Sequence, residues 1–273
     1  MVRKIKVSPG IGTTSLLIQH SELMTNDIFV DKPELIFILQ GHSTLRHGMQ
    51  ETRINSGEML AVNSGHLLSI TNSPSDEGVF SCAIMAWDLS LFADFRLHGS
   101  PLEGALSVVD DIRVIPHIPS PFKQSFLDTH SAMMWHKSLP PTIARHRMIE
   151  QLLWLSHLGI SYSRQHSESV TQQVRDLLVN NLHKSLTAAE VAEKLMMNEV
   201  MLRRRLATEN SVLRNLMIDV RMTHALRLLQ STDLAISSIA QQVGYESGSR
   251  FAERFRKRFG FAPTAIRGHL RPL

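Results

Sequence analysis

The chain has 273 residues, 43% of them hydrophobic and 20% charged, so it should fold and is long enough for two domains. Its single cysteine, Cys82, excludes an internal disulfide and a zinc site built from several cysteines. The longest apolar runs, such as Leu35–Leu39, are only strand-length. We therefore expect no signal peptide and no transmembrane helix, and we predict a cytoplasmic protein.

The net charge of +4 is distributed unevenly along the chain. Residues 1–165 carry 13 basic and 15 acidic side chains, whereas residues 166–273 carry 16 basic and 10 acidic ones. Most of the basic residues in the second part are arginines, whose forked donors suit phosphate and guanine. This composition indicates a nucleic-acid-binding surface near the C-terminus, although a solvated basic face would have the same composition.

Residues 30–90 contain short apolar segments separated by Gly, Asn, Ser or Pro, a pattern typical of antiparallel strands. The predicted strands have the sequences ELIFILQG, TLRHG, QETRI, EMLAVNSG and HLLSITNSP, with RHGMQ (Arg46–Gln50) at a hairpin tip.

From about Pro121 the apolar spacing becomes helical and predicts two helices, Pro121–Trp135 and Pro141–Ile160, separated by a double proline. The second helix has an apolar stripe at Ile143, Met148, Leu152 and Leu155. The polar residues 161–169 are predicted to be an interdomain linker.

Two segments near the C-terminus resemble each other, LTAAEVAEKLMMNEVMLRRRL (186–206) and LAISSIAQQVGYESGSRFAERF (234–255). Each begins with a short apolar helix pattern, continues through a turn containing Met197 or Gly244, and ends in a second helix. Thr187 and Glu190 have capping-box spacing. The repeat predicts two helix-turn-helix units, with a connecting helix across about Leu213–Leu229 and one extra residue in the second turn.

The second helix of each unit carries the candidate DNA-reading side chains. In the first unit Val200, Arg203 and Arg204 lie opposite the apolar stripe, where they are expected to contact base edges in a major groove. In the second unit the expected base-reading residues are Ser249, Arg250 and Glu253. Glu253 could accept from cytosine or pair with Lys257. The expected phosphate contacts are Arg254, Arg256 and Lys257.

These segments resemble the AraC/XylS family of bacterial transcription regulators over roughly Val170–Arg267. The resemblance rests on DLAISSIAQQVGYESGSRFAERFRKRFGFAPTAIR, TAAEVAEKLMMNEVMLRRRLATEN and RMTHALRLL. It implies a helical domain whose two recognition helices enter successive major grooves, with base contacts at Val200, Arg203 and Arg204 and at Gly248, Ser249 and Glu253. Gly248 has no side chain, and Asn210 stands where the family has glycine.

Residues 34–70 are also similar to the cupin-type strands of many such regulators, which form a ligand pocket. The expected fold class is α+β: a cupin-like antiparallel β domain with helices, followed by an all-α domain with two helix-turn-helix units. Cupin enzymes hold metals with histidines and a glutamate. His42, His47 and Glu51 are loosely spaced, and Leu68 occupies the expected position of another histidine, so we expect neither a metal nor a cofactor.

Three alternatives from other classes remain open. The first is an enzyme fused to a DNA-binding domain, although we find neither G-x-S-x-G nor a phosphate-binding loop, and GIGTTS (Gly10–Ser15) is only weakly dinucleotide-like. The second is a regulator controlled by a protein partner, and the third is a weakly specific DNA-binding protein.

The sequence therefore predicts a sequence-specific, non-enzymatic DNA-binding transcription regulator, an activator. Residues 1–160 would form the sensing domain, 161–169 the linker and 170–273 the DNA-binding domain. Expected partners are double-stranded promoter DNA, RNA polymerase, a small-molecule effector and a second copy bound through Pro141–Ile160. Lys4, Lys6, Arg46 or His66 could meet an anionic effector, although they also fit as surface residues.

Overall fold

The computed structural model describes residues 2–47, 50–65, 67–88, 90–91, 107–109, 112–136, 139–162, 169–179, 181–182, 184, 186–232 and 234–267. The chain forms two compact units, Met1–Thr25 with Val30–Ser163 and Asn26–Phe29 with Arg164–Leu273. Within the described ranges, no helix is both long and apolar enough to cross a membrane.

The described strands within residues 2–162 form three sheets. Two are antiparallel, with strand orders β1-β2-β9-β4-β7-β11 and β3-β8-β5-β6, and β10 pairs with β12 in parallel. The strands are β1 Val2–Ser8, β2 Gly12–Gln19, β3 Leu23–Phe29, β4 Glu34–Gln40, β5 His42–His47, β6 Gln50–Asn55, β7 Met59–Val62, β8 Leu67–Ser73, β9 Phe80–Trp87, β10 Ser107–Val109, β11 Ile112–Ile115 and β12 Ile160–Tyr162.

The middle of the larger sheet is covered on both faces. Leu35 and Phe37 of β4 point to one face and Ile36 and Ile38 to the other, and all four side chains are buried. A strand buried on both sides has a continuous apolar run instead of alternation, which explains the sequence LIFIL. The Leu35 and Phe37 face belongs to one core with residues of two helices, α1 Ser120–Trp135 and α2 Pro141–His157.

The two helices begin where the sequence predicts them, each with a proline within its first two positions. The buried stripe of α2 differs from the expected one at its start: Ile143 is 44% exposed, and Ala144 packs into the core together with Met148, Leu152 and Leu155. The stripe therefore begins one residue later than expected. The indole Nε1 of Trp87 donates to the carbonyl of Met148 at 3.0 Å and joins the sheet to α2.

The predicted helix Pro141–Ile160 is shorter in the structure. It ends at His157, Gly159 adopts a left-handed φ of +71°, and the chain continues as β12. The hydroxyl of Tyr162 donates to the carbonyl of Glu34 at 2.8 Å. The first residues of the predicted linker thus lie in a strand, and residues 163–168 lie outside the described part of the chain.

The five strands predicted within residues 34–73 are present, whereas β1 to β3 and β9 to β12 were not anticipated. The segment GIGTTS forms the end of the β1–β2 hairpin and the start of β2, with Ser8 paired to Gly12. A dinucleotide-binding loop would instead open a helix, so this segment does not have the structure that the weak similarity would require. The hairpin pairing His47↔Gln50 fits the predicted tip, whose central residues 48 and 49 lie outside the described chain.

The second compact unit is helical in its described part after residue 169. Its helices are α3 Val170–Val179, α4 Ala188–Lys194, α5 Glu199–Thr208, α6 Leu213–Ser231, α7 Ile236–Gln242, α8 Gly248–Phe259 and α9 Pro263–Arg267. The 19-residue α6 is the predicted connecting helix. The α+β class and the helix-turn-helix organisation expected from the sequence are confirmed.

Candidate nucleic-acid interface

The first helix-turn-helix unit consists of α4 and α5. The Thr187 hydroxyl accepts from the backbone N–H of Glu190, and the Glu190 carboxylate accepts from the backbone N–H of Thr187, which is the predicted capping box. Val191 and Ala192 are buried beneath α5. Asn198 caps α5 by accepting from the N–H of Met201 at 2.8 Å.

The second helix-turn-helix unit consists of α7 and α8 and repeats this geometry. In each turn a backbone N–H bonds to the carbonyl of the buried alanine: Met197 to Ala192 at 2.9 Å and Tyr245 to Ala240 at 2.8 Å. The residue before it adopts a positive φ, +55° at Met196 and +80° at Gly244. Both residues named from the sequence lie in the predicted turns, and Gly244 corresponds to Met196, one position before Met197.

Helix α5 buries only one narrow stripe, made of Leu202 and Leu206. Val200 is 77% exposed, and Arg203 and Arg204 are exposed on the same side of the helix. Among the described residues, Arg203 forms an ion pair with Glu199, whereas the guanidinium of Arg204 has no partner. The three predicted base-reading residues of this unit therefore share one open surface, and Arg204 is available to a ligand.

Helix α8 buries Phe251, Phe255 and Phe259 and exposes the residues at its start. Ser247 caps the helix by accepting from the N–H of Arg250, and its hydroxyl also bonds to the hydroxyl of Ser249 at 2.8 Å. The three predicted base-reading residues are all exposed: Ser249, Arg250 and Glu253.

Gly248 is the first residue of α8 and is exposed. A Cβ built at this position would have no atom within 4 Å. The described side chains of Glu253 and Lys257 form no ion pair with each other, so the carboxylate of Glu253 is not neutralised by that neighbour.

A basic groove of about 970 Å³ lies between α6 and α8. Arg250, Arg254 and Lys257 of α8 line it, because residues at i, i+4 and i+7 share one helix face. Two cations from α6 complete the groove, Arg214 and Arg221, neither of which was predicted. Their spacing of seven residues on the connecting helix is the sequence signal that would have identified them.

The remaining basic residues of α8 lie elsewhere. Arg256 does not line the basic groove but faces another side of the helix, near Gly260. Arg258 is only 12% exposed, and its Nε lies 3.1 Å from Oδ1 of Asp219 on α6. The predicted phosphate-contacting residues are therefore not one cluster: Arg254 and Lys257 are together and Arg256 is separate.

The end of α5 is joined to the start of α3. The Glu209 carboxylate accepts from the backbone N–H groups of Val170 at 2.9 Å and Thr171 at 2.8 Å. Partial burial acts to raise the pKa of Glu209, but hydrogen bonds from Thr171 and Val170 and the charge of Arg205 hold it below its ordinary value. Asn210 follows with a left-handed φ of +52°, which asparagine tolerates.

The N-terminal candidates for an anionic ligand lie on the surface in their described part. The Lys4 ammonium lies 4.8 Å from the ring centroid of Trp135, and Arg46 pairs with Glu51 at 2.7 Å. Lys6 is exposed, and the side chain of His66 lies outside the described residues.

The residues considered for a cupin metal site do not converge. Glu51 pairs with Arg46 in the β5–β6 ladder, and Arg46 is four residues along β5 from His42. The side chain of His47 is outside the described part. Among the described residues no group of three or more His, Cys, Asp or Glu side chains could hold a metal ion. Cys82 is buried, and burial raises the pKa of its thiol to about 12.

Residues 191–269 match the family model described as "Helix-turn-helix domain". The chain is 28% identical over 106 residues to the virulence regulon transcriptional activator VirF of Shigella flexneri, which covers 39% of this chain and 40% of VirF. It is 33% identical over 95 residues to the transcriptional regulator SirC of Salmonella typhimurium, covering 35% of this chain and 32% of SirC. The C-terminal region is an AraC/XylS-type domain.

The chain therefore matches well under half the length of these relatives. The fold of most of this chain, beyond the matched C-terminal region, is also shared with a known structure. ToxT of Vibrio cholerae superimposes with a TM-score of 0.73 at 15% identity, covering 92% of this chain and 96% of ToxT. The likeness extends through the strands that precede the AraC/XylS-type domain.

Proposed function

We propose that the protein is a sequence-specific DNA-binding transcription regulator that acts as an activator. One observation carries the proposal: two capped helices, α5 and α8, expose the side chains near their starts, namely Val200, Arg203 and Arg204 on α5 and Ser249, Arg250 and Glu253 on α8. Each helix buries only the stripe that faces its own helix-turn-helix unit. Helices presented in this way fit the major groove, where side chains near the helix start reach base edges.

The two helices would divide the work of recognition. Val200, Arg203 and Arg204 of α5 and Ser249, Arg250 and Glu253 of α8 would read bases. Arg254, Arg256 and Lys257 would bind phosphates and supply affinity that depends on salt. Because Gly248 has no side chain, we expect the second unit to read fewer bases than the first.

Selection of bound duplexes from a random library by the full-length protein, at near-physiological salt, tests this proposal. We expect a bipartite, non-palindromic site whose two elements lie about one helical turn apart. A site with one element would mean that α8 mainly clamps phosphates. No enrichment in any condition, together with equal affinity for all duplexes, would support the weakly specific DNA-binding protein instead.

Activation would follow from contact with RNA polymerase at the bound promoter. The name of VirF as a transcriptional activator supports this direction of control. Transcription in vitro from a promoter carrying the selected site, with purified polymerase, should rise when the protein is added. Repression of that promoter would contradict the proposal.

We propose in addition that a small molecule bound by the N-terminal compact unit controls the protein. ToxT, which shares the fold at 14% identity, has been solved with an unsaturated fatty acid bound. Addition of a long-chain unsaturated fatty acid to the full-length protein should raise its Tm and change its DNA affinity, whereas a short-chain acid should do neither.

A regulator controlled by a protein partner would show neither effect with any fatty acid tested.

Self-association through Pro141–Ile160 is supported by Ile143 and Leu153, which are 44% and 43% exposed on α2. Sedimentation of the full-length protein at micromolar concentration should reveal a dimer, and Leu153→Glu should shift it toward monomer.

A further inference from the structure

The connecting helix α6 holds both helix-turn-helix units through two side chains that are two residues apart. The first is Asp219. Its Oδ1 lies 3.1 Å from Nε of Arg258 on α8, and its Oδ2 lies 3.7 Å from Nη2 of Arg175 on α3. One carboxylate thus bridges a helix that packs in the first unit to the recognition helix of the second.

The second side chain is Arg221, which also joins the two helix-turn-helix units, but as a cationic hydrogen-bond donor instead of a carboxylate. Its guanidinium donates to the carbonyl of Lys184, in the segment that leads into α4, at 3.0 Å. It also donates to the carbonyl of Gly244, in the turn between α7 and α8, at 3.3 Å. Residues 219 and 221 are about 200° apart around a helix, so the two bridges lie on different sides of α6.

The surroundings of the Asp219 bridge favour rigidity. The side chains of Arg175 and Arg258 are 7% and 12% exposed, and charge pairs are stronger in such sites than on the surface. Burial lowers the pKa of Arg175 to about 10, with the Asp219 carboxylate opposing the shift. Breaking a buried pair by removing one partner leaves a charge without compensation, so neither arginine is expected to move away from Asp219 easily.

The backbones of the two units also meet directly beside Arg221. A Cβ built on Gly244 would lie 2.7 Å from the carbonyl oxygen of Leu182 and 2.8 Å from Nη2 of Arg221. Real Cβ atoms do not approach so closely, hence only glycine permits this contact. The turn of the second unit is therefore held against the first unit by a close backbone approach and by the guanidinium that bonds to it.

We propose that Asp219 and Arg221 are positioning residues that fix the distance and rotation between α5 and α8, and thereby set the spacing of the two elements in the DNA site. This inference rests on the proposed function, in which both helices read bases. Adding one base pair between the elements moves them apart by about 3.4 Å and rotates one against the other by about 35°. A rigid connection resists that displacement, whereas a loose one follows it.

The test uses the full-length protein and the bipartite site obtained by selection. Affinities are measured for the selected spacing, for spacings longer and shorter by one base pair, and for duplexes retaining a single element. The variants are Arg221→Gln and Asp219→Asn, and Asn215→Ala provides an exposed control on the same helix. For the unmodified protein we expect a change of one base pair to raise Kd about tenfold or more.

In Arg221→Gln and Asp219→Asn that ratio should fall to about threefold or less, because a looser connection adapts to each spacing. Affinity for the single elements should stay unchanged in Asp219→Asn. Arg221→Gln also removes a charge from the basic groove, so it should weaken binding to every duplex by the same factor and leave the ratio as the readout. Loss of stability alone would lower the active fraction and scale every Kd equally, so the ratio separates positioning from folding. Asn215→Ala should keep the tenfold ratio.

Equal ratios in the variants and the unmodified protein would overturn the inference while leaving the proposed function intact. A library selection that yields no two-element site would overturn both, and the two failures are thereby distinguished. Should Arg221→Gln fail to fold, Asp219→Asn decides alone, since it preserves the side-chain volume and removes only the charge.

Discussion

Arg203 and Glu199 form an ion pair across one turn of α5, between side chains that are 71% and 40% exposed. One of the two arginines of α5 predicted to read bases is thus already engaged by a carboxylate that also faces the DNA-binding side. Exposed pairs of this kind contribute about 0.2–1 kcal/mol, which is small beside a guanine or phosphate contact. DNA is therefore expected to displace Glu199.

Glu199→Ala should tighten DNA binding by roughly two- to fivefold, because it frees Arg203 and removes a negative charge near the phosphates. Fluorescence anisotropy with a labelled cognate duplex measures the change. Glu193→Ala removes an exposed acid from α4 and serves as the control. An equal effect of the two substitutions would show that only net charge matters and that the pair does not compete with DNA.

Arg204→Ala should cost about 1–3 kcal/mol of binding free energy at the cognate site if its guanidinium forks onto a guanine. Binding to a duplex with that guanine replaced should then be hardly affected. Arg205→Ala removes the same charge from the neighbouring position, which is about 100° around the helix, and should weaken cognate and random duplexes equally. An equal loss for Arg204→Ala on all sequences would make it a phosphate contact.

Val200 is expected to contact the methyl group of a thymine. Replacing that thymine by uracil, which removes the methyl, should cost the unmodified protein about 1 kcal/mol. In Val200→Ala the same replacement should cost almost nothing. Calorimetric or anisotropy titrations of both proteins with both duplexes give the four binding free energies of this double-mutant cycle. Equal penalties in the two proteins would mean that Val200 lies away from the base edges.

Gly244 and Gly260 share left-handed φ values of +80° and +83° but differ in the space around them. Gly260→Ala meets no atom within 4 Å, so we expect it to lower the free energy of unfolding by only about 1 kcal/mol. Gly244→Ala carries the same backbone strain and also collides with the Leu182 carbonyl, so its cost should exceed about 2 kcal/mol. Urea unfolding compares them. Similar losses of unfolding free energy in the two variants would argue against the close approach of Gly244 to the Leu182 carbonyl.

Glu209→Gln tests the link between α3 and α5 through its pH dependence. Since the pKa of Glu209 is lowered in the folded state, the ionised carboxylate contributes stability above its unfolded pKa, which is about 4.3. That contribution is lost as pH falls through the lower folded pKa. The difference in unfolding free energy between the unmodified protein and Glu209→Gln should thus be constant above about pH 5 and shrink below pH 4. A difference independent of pH would contradict the assignment.

The helix-turn-helix units were predictable because their signals are local. The capping box at Thr187 and Glu190, the buried alanines and the phenylalanines spaced by four residues all act within a few turns of helix. The resemblance between the two segments then fixes their common fold. The position of the left-handed residue in the first turn was not predictable, because the identity of Met196 does not reveal its positive φ.

Contacts between distant residues could not be predicted. Nothing in the sequence around Arg258 distinguishes it from Arg256, yet Asp219 draws the first into a buried pair and leaves the second exposed. Strand β1 was missed because its sequence VRKIKVS looks like a charged terminus unless its partner β2 is known. In α2, the choice between Ile143 and Ala144 depends on which face the sheet covers, and periodicity alone does not fix that face.

Gly248 stands at the first position of the second recognition helix with free space where a side chain would project. The fold places no steric demand on this position, so it is open to mutation. A single nucleotide change in a glycine codon can introduce arginine, serine or an acidic residue, each a different partner for a base edge. The regulon of such a protein could therefore be rewired in one evolutionary step, by adding a contact instead of breaking one.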